Sequence, residues 1–226
     1  MARRAPVLRN LVPAPVFHNL SSAVADQPDA DAALMLRVKR GDRTSFEALV
    51  HKYQQPVMNL VYRTLPDATE AEDLAQQVFV QVFKSAPRYE ATAKFSTWLF
   101  TIARNLCLNE IRRRARHPAE SMDEPSPDQD DQPARPVEDR KGVTPPEALL
   151  YGELQAKIEE ALADLPEKQR TAILLCREDE LSYEDIARVM GCSLSATKSL
   201  IHRGRETLKQ RLKPYLRTGA WPREQD

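Results

Sequence analysis

Thirty residues near the middle of this chain cannot build a core. Residues 117–146 carry seven prolines and almost no large apolar side chain, and eight acids fall between His117 and Gly142 against three bases, Arg135, Arg140 and Lys141. Such a stretch cannot bury enough surface to offset the entropy of ordering it, so it reads as an extended acidic linker. The 226 residues are thereby divided into two segments, each long enough for a small core. On both sides the apolar residues recur at the helical period, and no stretch alternates with the period of two that a half-buried strand needs. The fold class is therefore all-α, two helical domains joined by a flexible acidic, Pro-rich linker.

In the first segment the pattern begins at Asp29 or Asp31, either of which can cap a helix carrying Leu34, Met35 and Val38, and Gly41 stops it. A second helix is expected to start near Thr44 with Glu47 completing a capping box. Its inward face is Phe46, Leu49, Val50, Tyr53, Val57, Leu60 and Val61, and Pro56 is placed to kink it. A third runs from about Ala68 to Ser85 with Leu74, Val78, Phe79, Val82 and Phe83 apolar. After a polar loop, RYEATAK, a fourth carries Phe95, Trp98, Leu99, Ile102, Leu106 and Ile111 into the basic run RRRAR. The organisation is a tail over 1–28, a domain over 29–116, the linker over 117–146, a domain over 147–216 and a tail over 217–226. The 1–28 tail is Pro- and Ala-rich and expected to be disordered.

The formal charge is zero, from 33 basic and 33 acidic residues, which by itself argues against a nucleic-acid partner. The distribution argues for one. Arg104 to Arg116 holds five arginines against Glu110, and Lys198 to Arg217 holds seven bases against Glu206. A polyanion responds to such local fields rather than to the total. Six scattered glycines exclude a Gly-rich phosphate cradle. Cys107, Cys176 and Cys192 lack paired metal spacing and read as reduced thiols, so neither metal nor cofactor is expected. No apolar run reaches the roughly 20 residues of a membrane span, and Pro6, Pro13 and Pro15 break up the N-terminus as a signal peptide, which leaves a cytoplasmic location.

The stretch from Leu181 to Leu208 is the most informative. Ser182 with Asp185 reads as a capping box, Ile186, Ala187 and Met190 face inward, and Gly191 makes the turn. Ser193 or Ser195 can cap a second helix whose Thr197, Leu200 and Ile201 return to the core. Ser195, Ala196, Lys198, Ser199, His202 and Arg203 are left outward, in the position that enters a major groove. A plain helical hairpin with a solvated face is the alternative, but the small Ala187, the turn glycine and the outward bases together favour a DNA-binding helix-turn-helix. In the first domain Phe95, Trp98 and Phe100 precede Arg104 and the arginine run, an arrangement that suits stacking on unpaired bases; for Trp98, spacing alone favours the core.

Four segments in order resemble the extracytoplasmic-function group of bacterial RNA polymerase sigma factors. They are GDRTSFEALVHKYQQPVMNLVYR (41–63), AEDLAQQVFVQVFK (71–84), FSTWLFTIARNLCLNEIRRR (95–114), and LPEKQRTAILL (165–175) followed by DELSYEDIARVMGCSLSATKSLIHRGRETLKQRL (179–212). The sequence departs from the family's pattern at Glu180, where Gly is usual, at Gln77, where an acid is common, and at Leu200, where Arg is usual. The resemblance implies a promoter-specificity subunit with no catalytic site. Asp73, Gln76 and Phe79 would dock on the clamp helices of the core polymerase large subunit. Arg88, Tyr89, Lys94, Phe95, Trp98, Arg104, Asn105, Arg112 and Arg113 would bind the melted −10 element. Ser195, Lys198, Ser199, His202 and Arg203 would read the −35 duplex. The linker would thread polymerase channels, its carboxylates standing in for phosphates, and an anti-sigma partner would hold the free factor. Two other readings stand beside this one: a stand-alone helix-turn-helix regulator, and a thiol redox sensor using Cys107, Cys176 or Cys192, of which Cys107 lies nearest the arginines.

Overall fold

The computed structural model describes residues 29–65, 67–116, 145–178 and 180–218. The N-terminal tail, the linker up to residue 144 and the last eight residues, for which the sequence carries expectations, lie outside the described residues. Among the described residues there is no strand. Eight α-helices follow one another: α1 (Ala30–Lys39), α2 (Arg43–Tyr62), α3 (Ala68–Ser85), α4 (Phe95–Arg116), α5 (Pro145–Ala163), α6 (Glu167–Leu175), α7 (Tyr183–Met190) and α8 (Leu194–Thr218), with one 3-10 turn (Ala86–Arg88) after α3.

Short polar side chains start the helices of the first group. Asp29 caps α1, accepting from the Asp31 amide at 3.0 Å, and its other oxygen accepts from the Phe95 amide at 2.6 Å. One carboxylate thus serves the first turns of two helices that lie 66 residues apart in sequence. At α2 the expected Thr44/Glu47 box is replaced. Gly41 turns the chain at φ 97°, and Asp42 accepts from the Ser45 amide at 3.2 Å and from its hydroxyl at 2.8 Å. These bonds, the hydroxyl's first, hold the Asp42 carboxyl below its usual value. An ionised carboxylate is the stronger acceptor, so the helix starts at Arg43 rather than after Thr44. Asp67 caps α3 in the same way. α2 continues through Pro56 to Tyr62.

The α2 face read from periodicity is inward as expected, with Leu49, Tyr53, Val57, Leu60 and Val61 buried and Phe46 and Val50 half-buried. α3 departs from its expected pattern. Leu74, Val78 and Val82 are buried, Phe79 is half-buried, and Phe83 is exposed together with Val80. α1–α4 pack on one another, as do α5–α8, but the two groups are not held apart. α4 lies against α7, α2 touches α6, and the buried apolar side chains of both groups form one contiguous cluster.

α8 is seated on α6 by a close approach. A Cβ at the buried Gly204 would stand 2.8 Å from Cγ1 of Ile173, a buried side chain that cannot swing away. Overpacking of this kind costs about 1–3 kcal/mol, more than the ~1 kcal/mol that Ala gains over Gly in a helix. Gly204→Ala is therefore expected to lower the thermal unfolding midpoint measured by circular dichroism, and an unchanged or raised midpoint would show that α6 and α8 are not in this contact.

Candidate nucleic-acid interface

The expected capping box is present at the start of α7. Ser182 Oγ accepts from the Asp185 amide at 3.1 Å, and Asp185 accepts from the Ser182 amide at 3.2 Å and its hydroxyl at 2.7 Å. Burial works to raise the Asp185 carboxyl, but the Ser182 bonds and the nearby Lys94 charge leave it below its ordinary value. At the other end Gly191 adopts the left-handed conformation (φ 63°, ψ 38°), and the Cys192 amide reaches back to the Ala187 carbonyl at 3.1 Å. Only a residue without Cβ takes this turn cheaply. Of the two serines that could cap α8, Ser193 does so, accepting from the Ala196 amide at 3.2 Å.

These local devices fix the rotation of α8. Thr197 and Ile201 are buried and Leu200 is half-buried, while Ser195, Lys198, Ser199, His202 and Arg203 are exposed and, with Leu194, line a wide shallow depression. Ala196, expected outward, is half-buried. The depression offers two cations, two hydroxyls and an imidazole along one helical edge, donors and acceptors of the kind that base edges and phosphates engage.

The other basic region has a different geometry. Arg88 and Lys94 are exposed at the two ends of the loop, whose Tyr89 carbonyl accepts from Lys39 at 2.8 Å. Tyr89, Phe95 and Trp98 are 1%, 1% and 6% exposed. Their rings pack edge-on or tilted, 4.9 Å between Tyr89 and Trp98 and 6.0 Å between Phe95 and Trp98, with Tyr53 5.4 Å from Phe95. Trp98 is thus a core residue, as its spacing favoured, while the stacking surface expected of Phe95 and Phe100 is not formed, since both are buried at 1% exposure; with Tyr89, these rings fill the core beneath the loop, where such pairs add about 0.5–1.5 kcal/mol each. Burial and the charges of Asp29 and Asp31 push the Tyr89 phenol well above its usual range. Arg104 and Asn105 are half-buried, and Arg112 is exposed. Arg113 is bound to Glu110 at 2.8 Å and lies 3.9 Å from Glu70, and Arg114 pairs with the same two acids.

On α3, Asp73 and Gln76 are exposed, and Phe79 is packed half-buried. The structure adds two residues that periodicity did not single out as a surface. Val80 is 50% and Phe83 48% exposed, and Phe46 supports the Phe83 ring at 5.1 Å. Residues 73, 76, 80 and 83 follow helical spacing, so one stripe carries a carboxylate, an amide and two apolar groups. Their signal in the sequence was an apolar excess on α3 wider than one buried face needs.

Family models match the two halves separately. One described as Sigma-70 region 2 covers residues 49–117, and one described as Sigma-70, region 4 covers residues 155–208. The RNA polymerase sigma-H factor of Pseudomonas aeruginosa is 36% identical over 193 residues, 84% of this chain and 97% of that protein. The ECF RNA polymerase sigma-E factor of Escherichia coli K12 is 34% identical over 191 residues, 83% of this chain and 96% of that one.

The chain belongs to the ECF group of RNA polymerase sigma factors.

It is accordingly a transcription initiation factor that directs core RNA polymerase to promoters, not an enzyme, and the stand-alone regulator is set aside. Among solved structures, a sigma factor described as RpoE in complex with the anti-sigma factor NepR from Bartonella quintana matches with a TM-score of 0.57 at 26% identity, over 74% of this chain and 96% of that one. CnrH, solved in complex with the cytosolic domain of CnrY, shares the fold at a TM-score of 0.59 and 21% identity, over 82% of this chain and 99% of that one. In this sigma factor no described helix is long and apolar enough to cross a membrane, and the described residues hold no group of three or more potential metal ligands.

The redox reading of the sigma factor also meets the geometry. Cys107 is buried, and burial above all pushes its thiol up to about 12, the opposite of a reactive thiolate. The Arg104 side chain turns instead toward the Val189 carbonyl, at 3.5 Å. With iodoacetamide at pH 8, Cys176 and Cys192 are expected to be alkylated in the native protein while Cys107 stays unmodified until denaturant is added. Mass spectrometry of the tryptic peptides reads this, and early labelling of Cys107 would refute the burial argument.

Proposed function

We propose that the two helical groups divide promoter recognition between them. Residues 29–116 bind core polymerase and the opened −10 strand, and residues 147–216 read the −35 duplex, with 117–146 spanning the distance as an acidic linker through channels that otherwise hold nucleic acid. The observation that carries this reading is the exposed stripe Asp73–Gln76–Val80–Phe83 on α3, with Phe79 half-buried beside it. Exposed apolar groups flanked by polar ones mark a docking surface, and the stripe is directed to the clamp helices of the large polymerase subunit. Arg88, Lys94, Arg104, Asn105, Arg112 and Arg113 supply the polar contacts to the −10 strand. Ser195, Lys198, Ser199, His202 and Arg203 supply those to −35. Work on promoters places the protein in the cytoplasm. An anti-sigma factor is its proposed inhibitor, since the matched RpoE structure is of a sigma factor held by one.

In vitro transcription with core polymerase over a promoter library, with and without the protein, tests the whole reading, and no promoter-dependent stimulation would refute it. Asp73→Ala with Gln76→Ala should abolish co-purification with core polymerase while leaving helical content unchanged, because both side chains are exposed. Phe83→Ala should weaken docking by about 1 kcal/mol or more, as truncation of an interface anchor does. Undiminished pull-down by these variants would dismiss the α3 stripe. On the −35 side, Lys198→Ala and Arg203→Ala should each lower transcription from cognate promoters. A residue that reads a base loses about 1–3 kcal/mol and relaxes specificity at one position, whereas one that touches phosphate weakens all sequences alike. Unchanged activity and unchanged −35 preference in both would place the reading helix elsewhere.

A further inference from the structure

α8 does not end with the residues assigned above to the −35 duplex. It runs unbroken for 25 residues, from Leu194 through Pro214 to Thr218, whereas the region 4 match stops at residue 208. The part beyond that point is held in place. Arg211 pairs with Asp164 at 3.0 Å, Leu208 and Leu212 are half-buried, and α8 packs on both α5 and α6.

Successive positions on a helix turn by about 100°, so residues 198, 202, 205, 209 and 213 fall within about 80° of one another. Lys198, His202, Arg205, Lys209 and Lys213 are all exposed, while Ile201 and Gly204 between them face the core. Little on the protein offsets the charge of this stripe. Arg205 donates to Cys176 Sγ at 3.1 Å, which is a weak acceptor. Lys209 stands 3.9 Å from Glu206 with both side chains in water, 72% and 48% exposed, and such pairs are weak. From Lys198 to Lys213 the stripe is about 22 Å long at 1.5 Å per residue. A straight helix that turns this face to the major groove at its start keeps the same face toward the duplex further along. There it leaves the groove past the phosphates of the bordering strand, which repeat about every 3.4 Å.

We propose that Arg205, Lys209 and Lys213 bind the sugar-phosphate backbone beside the −35 element. They add affinity without adding sequence preference, because phosphates are alike at every base. The inference rests on the −35 reading of Lys198 and Arg203 and extends it along the same helix. Two of the three cations are lysines, which meet phosphate as point charges and need no fixed fork geometry. An acidic protein surface is the other ligand such a stripe could take; continuity with the DNA-reading face on one rigid helix favours the duplex. The stripe ends at Leu216, 67% exposed and about one turn past Lys213.

Holoenzyme assembled from the full-length chain at saturating core polymerase tests this. Its affinity for fluorescent promoter duplexes is measured across a salt series, with the −10 half of every duplex kept the same. Each phosphate contact contributes about 0.9 to the slope of log affinity against log salt. K209A/K213A should therefore flatten that slope by about 1.8, so that the loss of affinity between about 50 and 200 mM salt becomes roughly tenfold smaller. At the lower salt the double variant should bind more weakly by the same factor on duplexes with the preferred and with a scrambled −35 sequence. K209R/K213R, which keeps both charges, should retain the parent slope. Circular dichroism checks folding, with K209Q/K213Q replacing the Ala pair should helical content fall. An unchanged slope, with or without a loss of affinity, overturns the proposal and leaves the cations to a protein surface. Weakening confined to one −35 sequence overturns it as well, since it marks base readers. K198A and R203A, run alongside, keep the failures apart: if they alter −35 preference while the Lys209/Lys213 pair is silent, only the backbone contact is lost. If they too are silent, the −35 reading itself fails and the extension falls with it.

Discussion

Every residue from Phe95 to Ala103 is buried, and the rest of the structure is arranged around that fact. A helix apolar or small on all sides has no face to leave to water and must be surrounded. α1, α2, α3 and α7 all pack against α4. The polar members of the run are few, and Thr101 satisfies its hydroxyl by donating to the Thr97 carbonyl at 2.7 Å within the helix. The Asp29 carboxylate, shared between the first turns of α1 and α4, holds the N-terminus of this helix in register with the start of the group. The second half of α4 emerges from that packing as the arginine run, so one continuous helix is a core element at one end and a charged surface at the other.

Zero net charge coexists with nucleic-acid work because pairing is local. Arg113 and Arg114 are held by Glu70 and Glu110, whereas Lys198 and Arg203 stand exposed beside serines on α8. Paired arginines stiffen the end of α4 against α3; the exposed cations of α8 remain available to a polyanion. The same distinction separates the two apolar excesses of the chain. Tyr89, Phe95 and Trp98 close a core, and Val80 and Phe83 stay in water beside Asp73 and Gln76, where a partner's surface can remove them from it.

How much could be read without coordinates depended on the range of each interaction. The Ser182–Asp185 box, the left-handed Gly191 and the inward Thr197 and Ile201 involve neighbours within a few residues, and the chemistry of those residues is sufficient to specify them. The outward face of α8 followed. At α2 the same reasoning chose the wrong neighbour, Thr44 with Glu47 in place of Asp42 with Ser45, because two local caps competed and the ionised acceptor after Gly41 prevailed.

The sequence by itself determined the helices, the helix-turn-helix with its capping box and glycine turn, and the membership of the family, since all of these are written in periodicity, local capping chemistry and motif order along the chain. Tertiary structure alone decided which side chains meet across long separations. Periodicity marks Phe83 and Phe79 alike as apolar, but exposure depends on which neighbouring helix happens to cover each ring. Nothing along the chain pairs Glu180 with the first helical group, and only tertiary packing brings it to Lys52 and Tyr53, 127 residues from the latter in sequence. Side-chain chemistry near a turn is enough to place the turn; contact between distant surfaces is set by the shapes that all the helices present together, and no single stretch of residues carries that information.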